Sequence, residues 1–191
     1  ERSEGVAEKQ FNEYLYRIAD SVRKKEPLDD ILKDATAQFK ALIDPDKPRR
    51  PLVGINGEIF LRSNKFSNSN LAKECEKAGL EVVISPIGEW LKYITHRNIE
   101  DGVRDRDLKR IMAGYIRRYL LNHDEHSVIV NFETLLDTRE PTTKELLHKS
   151  KGYLSPKCGS EAVLSIGAGV EWLEDPRFDG VISVMPHGCM P

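Results

Sequence analysis

The stretch Pro51 to Gly88, PLVGINGEIFLRSNKFSNSNLAKECEKAGLEVVISPIG, limits what this chain can fold into more than any other. PLVGINGEIFL reads as a buried strand entering a glycine-containing turn. SNSNLAKECEKAGL reads as a helix capped by Ser or Asn and ended at Gly79, and EVVISPIG as a second strand. Strand, helix and strand within about 35 residues make a βαβ unit. Its two strands are expected to be parallel with a right-handed crossover. The fold class that follows is α/β, a Rossmann-like three-layer parallel sheet.

The rest of the chain is read around that unit. Apolar residues at helical spacing (Phe11, Leu15, Ile18, Val22, then Leu28, Ile31, Leu32, Ala35, Phe39, Leu42) predict an N-terminal helical hairpin over residues 1–46. Asp44 to Pro51, DPDKPRRP, carries three prolines and reads as a linker, so the α/β domain is expected over 51–191. Glu89 to His96 and Arg104 to Asn122 read as helices, the second with Leu108, Ile111, Met112, Tyr115, Ile116, Tyr119 and Leu120 on one side. HSVIVNFETLL fits a strand or a connection. GSEAVLSIGAGVEWL reads as a helix, and DPRFDGVISVMP as a third parallel strand.

Composition excludes some classes of partner. A net charge of -2 and a pI near 6.3 give no reason to expect nucleic acid or anionic lipid, and no run of about 18 apolar residues is present to cross a membrane. The basic clusters Lys47–Arg50 and Arg104–Arg110 read as solvated faces. Three widely spaced cysteines, Cys75, Cys158 and Cys189, argue against a disulfide framework and for a reducing, cytoplasmic setting. The charged opening ERSEGVAEKQ has no leader pattern, and the chain is expected to be a truncated piece of a longer protein.

In an open α/β sheet, ligands bind beyond the carboxyl ends of the strands. Two unusual stretches fall there. One is the loop after the first strand, with Glu58, Arg62, Asn64 and Asn68 running into a helix N-terminus, an arrangement suited to an anion. The plainer alternative is that Glu58 and Arg62 pair with each other while Ser67, Asn68, Ser69 and Asn70 cap the helix. The other is VMPHGCMP, where prolines and Gly188 display His187 and Cys189 in a fixed turn. A thiolate there suits an iron–sulfur cluster or zinc, or with the histidine a nucleophile. Cys158, in SPKCGSEA, is read as a ligand or reactive thiol favoured by a helix N-terminus, or as an ordinary helix-start residue. Cys75 carries no assigned role, and His123 and His126 read as a solvated loop. No CxxC pair, dinucleotide fingerprint, P-loop or nucleophile elbow occurs.

Taken together, VGINGEIFLRSNKFSN followed by LEVVISPIGEWLKY, and KCGSEAVLSIGAGVEWLEDPRFDGVISVMPHGCMP, resemble a region of the activator-related proteins of the 2-hydroxyacyl-CoA dehydratase system, the CoA-substrate-specific enzyme activases. The resemblance spans Pro51 to Pro191. It implies a domain similar to the dehydratase subunits, which bind four-iron, four-sulfur clusters through cysteines in Rossmann-like lobes in anaerobic organisms. It further implies ATP held only by other domains of the parent chain, and 2-hydroxyacyl-CoA dehydratase or a related iron–sulfur protein as partner. The parent would be an ATP-dependent activase or an iron–sulfur reductase, with this piece alone inactive.

Carried over by motif, Glu58, Arg62, Asn64, Asn68 and His187 form the site, and Cys189 and Cys158 are the candidate cluster ligands; catalytic residues are not assigned. Two rival readings stand beside it. One is a non-catalytic docking module between activase ATPase domains and the dehydratase. The other is a thiol enzyme using Cys189 with His187, disfavoured because two residues so close along a strand end need not meet.

Overall fold

The computed structural model describes residues 5–136 and 140–188. The chain divides into two compact units, Glu1–Pro48 with Tyr119–Arg139, and Arg49–Arg118 with Glu140–Pro191.

The first unit holds the expected hairpin. Helix α1 spans Val6–Lys24 and α2 spans Asp29–Leu42. Lys25, in the left-handed region at φ 58, ends α1 and closes its last carbonyls. Tyr14 on α1 packs against Phe39 on α2, over the buried Leu32 and Ala35. The later segment of the unit joins α2 through Thr36, whose hydroxyl donates to the carbonyl of Asn131 at 2.6 Å.

The second unit carries a three-stranded parallel sheet in the order β2–β1–β3, with β1 Leu52–Gly57, β2 Glu81–Ile84 and β3 Gly180–Val184. Central β1 is buried at all six residues, as a strand covered on both faces should be. Between β1 and β2 lie the short helix α3, Ile59–Ser63, and α4, Leu71–Lys77. Then come α5, Ile87–Asp105, and α6, Leu108–Ile129, which contributes residues to both units. Helix α7, Thr143–Ser150, opens on a Thr142–Glu145 capping box, and α8, Ala162–Glu174, precedes β3.

Helix α8 lies on β1 and β3, and α7 lies on α8. Two glycines make those approaches possible. A Cβ on Gly167 would strike the Leu146 backbone, and one on Gly54 the Trp172 ring. Tyr93, Leu146, Leu164 and Ala168 form the core beside this stack, with Trp90 and Leu147 against it.

With 61% helix and this small sheet, the protein is mixed α/β. Several expectations change in detail. The segment read as loop after β1 contains α3. The helix begun at Glu89 runs on to Asp105, and Arg104 belongs to it rather than to the next. HSVIVNFETLL is neither strand nor plain connection: α6 runs to Ile129, and turns follow. The β-branched Val128, Ile129 and Val130 favour a strand locally, but the helix begun at Leu108 carries through the first two. His123 and His126 accordingly lie on α6, exposed, with His123 stacked on Tyr119. No described helix is long and apolar enough to cross a membrane.

Candidate functional site

The two stretches singled out in the sequence meet at one end of the sheet. Parallel pairing sets Gly57 opposite Val184, and the Glu58 N–H donates to the Val184 carbonyl at 2.9 Å. Gly57 has φ 111, and a Cβ there would run into the Val184 backbone, so only glycine lets the two strand ends close up. His187 lies exposed in the turn beyond β3. Cys189 lies outside the described residues.

The first stretch is a set of caps around one buried cation. Glu58 is the N-cap of α3, its carboxylate accepting from the N–H groups of Phe60 at 3.1 Å and Leu61 at 2.6 Å. Asn64 follows the helix and accepts from the N–H groups of Phe66 and Ser67. Asn68 donates to the carbonyls of Leu61 and Arg62, and its own oxygen accepts from the Leu71 N–H at the start of α4. Asn70, the N-cap position of α4, makes no side-chain cap. These side chains are spent on the backbone. A shallow depression of about 350 Å³ lies beside them, lined by Glu58, Ile59, Phe60, Ser63, Asn64 and Ile87.

Arg62 does not pair with Glu58, as the plainer sequence reading had it. It is 4% exposed and reaches under the rim. Its Nε donates to the Ser85 carbonyl at 3.1 Å and a terminal nitrogen donates to the Gly57 carbonyl. A third contact, at 3.5 Å, reaches the Pro86 carbonyl. The guanidinium thereby ties the carboxyl end of β1 to the residues that follow β2, supplying donors to the Gly57 and Ser85 carbonyls. It also pairs with Glu161 at 3.4 Å, at the start of α8. Burial lowers the Arg62 pKa, while Glu89, Glu161 and Glu58 oppose that shift.

Two carboxylates that the sequence did not single out complete the group. Glu161 is held by Arg62 and by the Ile59 N–H, and burial nevertheless raises its pKa. Glu89, in the first turn of α5, is 9% exposed. Its carboxylate accepts no hydrogen bond and forms no ion pair among the described residues. Burial pushes it up to about 7, with Glu140 and Glu161 adding to the rise and Arg62 and Lys92 opposing it.

Unpartnered polar atoms concentrate in the same unit: Asn56 Oδ1, Ser85 Oγ, Tyr93 Oη, Ser160 Oγ and Ser165 Oγ are buried without a hydrogen bond. Asn56 at the end of β1 meanwhile donates to the Ser165 carbonyl of α8 at 2.8 Å. Buried polar groups of this kind cost stability unless they are hydrogen-bonded.

The cysteines divide. Cys75 is buried on α4, inert by position. Cys158 is exposed, the last residue of the 3-10 turn Pro156–Cys158, three residues before Glu161. Among the described residues no group of three or more His, Cys, Asp or Glu side chains is placed to hold a metal ion. The thiols described therefore do not fit a complete iron–sulfur site, which takes about four ligands.

A signal for Glu161 was present in the sequence, within the KCGSEA motif; Glu89 in PIGEWLKY looks like any solvent-facing helix residue. Comparison with family models, curated proteins and solved structures finds no match for this chain.

Proposed function

We propose that the α/β unit is a Rossmann-like, dehydratase-subunit-like domain of a CoA-substrate-specific enzyme activase, contributing one wall of an iron–sulfur electron-transfer site that serves 2-hydroxyacyl-CoA dehydratase. One observation supports this reading above the motif resemblance. The GEIFLRSNKFSN and VMPHGCMP stretches, more than a hundred residues apart, share one rim through Gly57 and Val184. That is where an open α/β sheet binds its ligands. Because the described thiols do not make a full ligand set, any cluster would draw most of its ligands from elsewhere, and no electron-transfer step is assigned to this chain alone.

The test is iron and acid-labile sulfide in the protein purified without oxygen, beside Cys189→Ser and Cys158→Ser. Iron that falls in either variant supports the reading and marks that cysteine as a ligand. A protein without iron overturns it.

A second reading, docking, is favoured by one observation. Leu108, Met112, Tyr115 and Ile116 form an exposed apolar side on the first half of α6, from 48% to 78% accessible. On this reading the iron-free protein still captures the dehydratase, and Met112→Glu with Ile116→Glu abolishes capture.

A further inference from the structure

Helix α6 carries a row of large apolar side chains that its own chain leaves in water. Leu108, Met112, Tyr115 and Tyr119 recur at alternating spacings of four, three and four residues, with Ile116 and Leu120 beside them, and all six are between 48% and 78% accessible. That alternation is the one by which a helix packs lengthwise along another. A different side of α6 already meets its own chain: Gly114 is buried, and a Cβ on it would strike Ile99 of α5 at 2.5 Å. The row lies on a single unbroken helix, so its alignment follows from helix geometry alone. The charges around it decide what fits. The half from Leu108 to Arg118 bears Lys109, Arg110, Arg117 and Arg118 and no acid, whereas the half from Tyr119 to Ile129 bears Asp124 and Glu125 and no Lys or Arg. At 3.6 residues per turn, Lys109 and Asp124 fall about 60° apart, on one flank of the row. A surface whose two ends carry opposite charge is complementary to itself turned end for end, which is what a twofold interface requires.

We infer that this face of α6 binds a second copy of the chain, the two helices running antiparallel across a twofold axis near Tyr115 and Ile116. In that register Tyr115 lies opposite Ile116 of the second copy, Met112 opposite Tyr119, and Leu108 opposite His123, whose ring already stacks on Tyr119 with centroids 6.1 Å apart. Lys109 then comes within one turn of Asp124 of the second copy, twice per dimer. Parallel pairing would instead set the basic halves side by side, and like charges so placed repel. The area is sufficient. Six large side chains, half to three-quarters exposed, offer about 100 Å² apiece, so two copies cover about 1,200 Å², the lower end for a specific interface.

Self-association is independent of the electron-transfer reading and competes with the docking reading for the same face, the two differing in which molecule fills it. The experiment is sedimentation velocity of the whole protein in reducing buffer, which keeps the exposed Cys158 out of disulfides, over about 1 to 100 μM, the range in which so small an interface dissociates. The wild type is expected to pass from monomer to dimer across that range. Met112→Glu with Ile116→Glu, both on the exposed face, should leave a monomer with unchanged circular dichroism. Lys109→Glu and Asp124→Lys should each weaken the dimer about tenfold, since each breaks two charge pairs. Combined in one chain they exchange the charges and should return the affinity to within about threefold of the wild type, a recovery that a purely local role for either residue would not produce. A wild type that stays monomeric at every concentration overturns the inference, and if Met112→Glu with Ile116→Glu then abolishes capture of the dehydratase, the face belongs to that partner. A dimer that survives the two glutamates, or one that the charge exchange fails to restore, overturns it as well.

Discussion

Two arginine–carboxylate groups, one in each unit, use the same chemistry with opposite results. In the hairpin, Arg17 meets Asp34 at 3.0 Å with both side chains more than 40% exposed, and Tyr14 donates to the same carboxylate at 2.8 Å. There the hydrogen bond from Tyr14, then that from Arg17, hold Asp34 below the ordinary carboxylate value. At the rim, Arg62 and Glu161 are 4% and 16% exposed, and burial raises Glu161 despite the cation beside it. Desolvation decides the difference. In water-accessible surroundings the partner's charge wins; where water is excluded, the cost of keeping a carboxylate charged exceeds what one shared guanidinium returns.

The comparison breaks most visibly when each arginine is removed. Arg62→Met would strand the Glu161 carboxylate and the carbonyls of Gly57 and Ser85, and is expected to cost about 3–5 kcal/mol. Arg17→Met should barely move the unfolding midpoint, as exposed pairs seldom do. Both tryptophans, Trp90 and Trp172, belong to the second unit, so urea unfolding followed by tryptophan fluorescence reads the Arg62 effect there; circular dichroism at 222 nm reads the hairpin.

Acid and base should also act on the two groups in opposite senses. Glu89 stands at about 7 in the folded unit against an ordinary 4.5, so the folded state binds its proton more tightly than the unfolded chain. Its contribution is complete below about pH 4.5 and is lost as the pH rises to about 7, roughly 3 kcal/mol in all. Asp34 is depressed, and its contribution is present at neutral pH and lost as the pH falls through its folded value. Fluorescence-detected stability between pH 4.5 and 8 should therefore fall more steeply in the wild type than in Glu89→Gln. Identical slopes would remove Glu89 from the account.

A smaller effect separates caps from charges. Glu58→Ala removes two acceptor contacts at the start of α3 and is expected to cost about 1 kcal/mol. Glu58→Asp or Glu58→Ser should recover part of that, since capping needs an oxygen rather than a full charge.

How much of this was legible follows from the range of the interactions. Apolar runs bounded by glycine marked β1 and β2, and the parallel rule carried the two motifs to one rim, because both are local patterns joined by a chirality constraint. Arg62 was visible as a charge in an unusual loop, but its partner Glu161 is 99 residues away and nothing in the loop announces it. Glu89 was missed for a different reason: a glutamate in the first turn of a helix is ordinary, and only tertiary packing makes it buried. Glu58 was noticed as a member of the rim loop, but that its carboxylate caps α3 was not foreseen, since a carboxylate three residues before Leu61 is a helix cap as readily as a ligand. The apolar side of α6 shows the converse, a periodic pattern that reads as a packing face and is exposed in the fold.

The finest test of the comparison removes a single oxygen. Tyr14→Phe keeps the ring against Phe39 and under Arg17, 4.8 Å from the ring centre, and deletes only the hydroxyl that donates to Asp34. If the hydrogen bond from Tyr14 is the first cause of the low Asp34 value, that carboxylate should titrate closer to its ordinary range in the variant, read from its carboxyl carbon by NMR across pH 2 to 6. The Arg17 pair remains, so the return should be partial, and the unfolding midpoint should stay close to that of the wild type. An Asp34 that titrates as before would assign its depression to Arg17, with the smaller hydrogen bond from Gln38. The exposed group would then be a simple ion pair, and the hydroxyl would be a donor held in place by ring packing without acting on the charge.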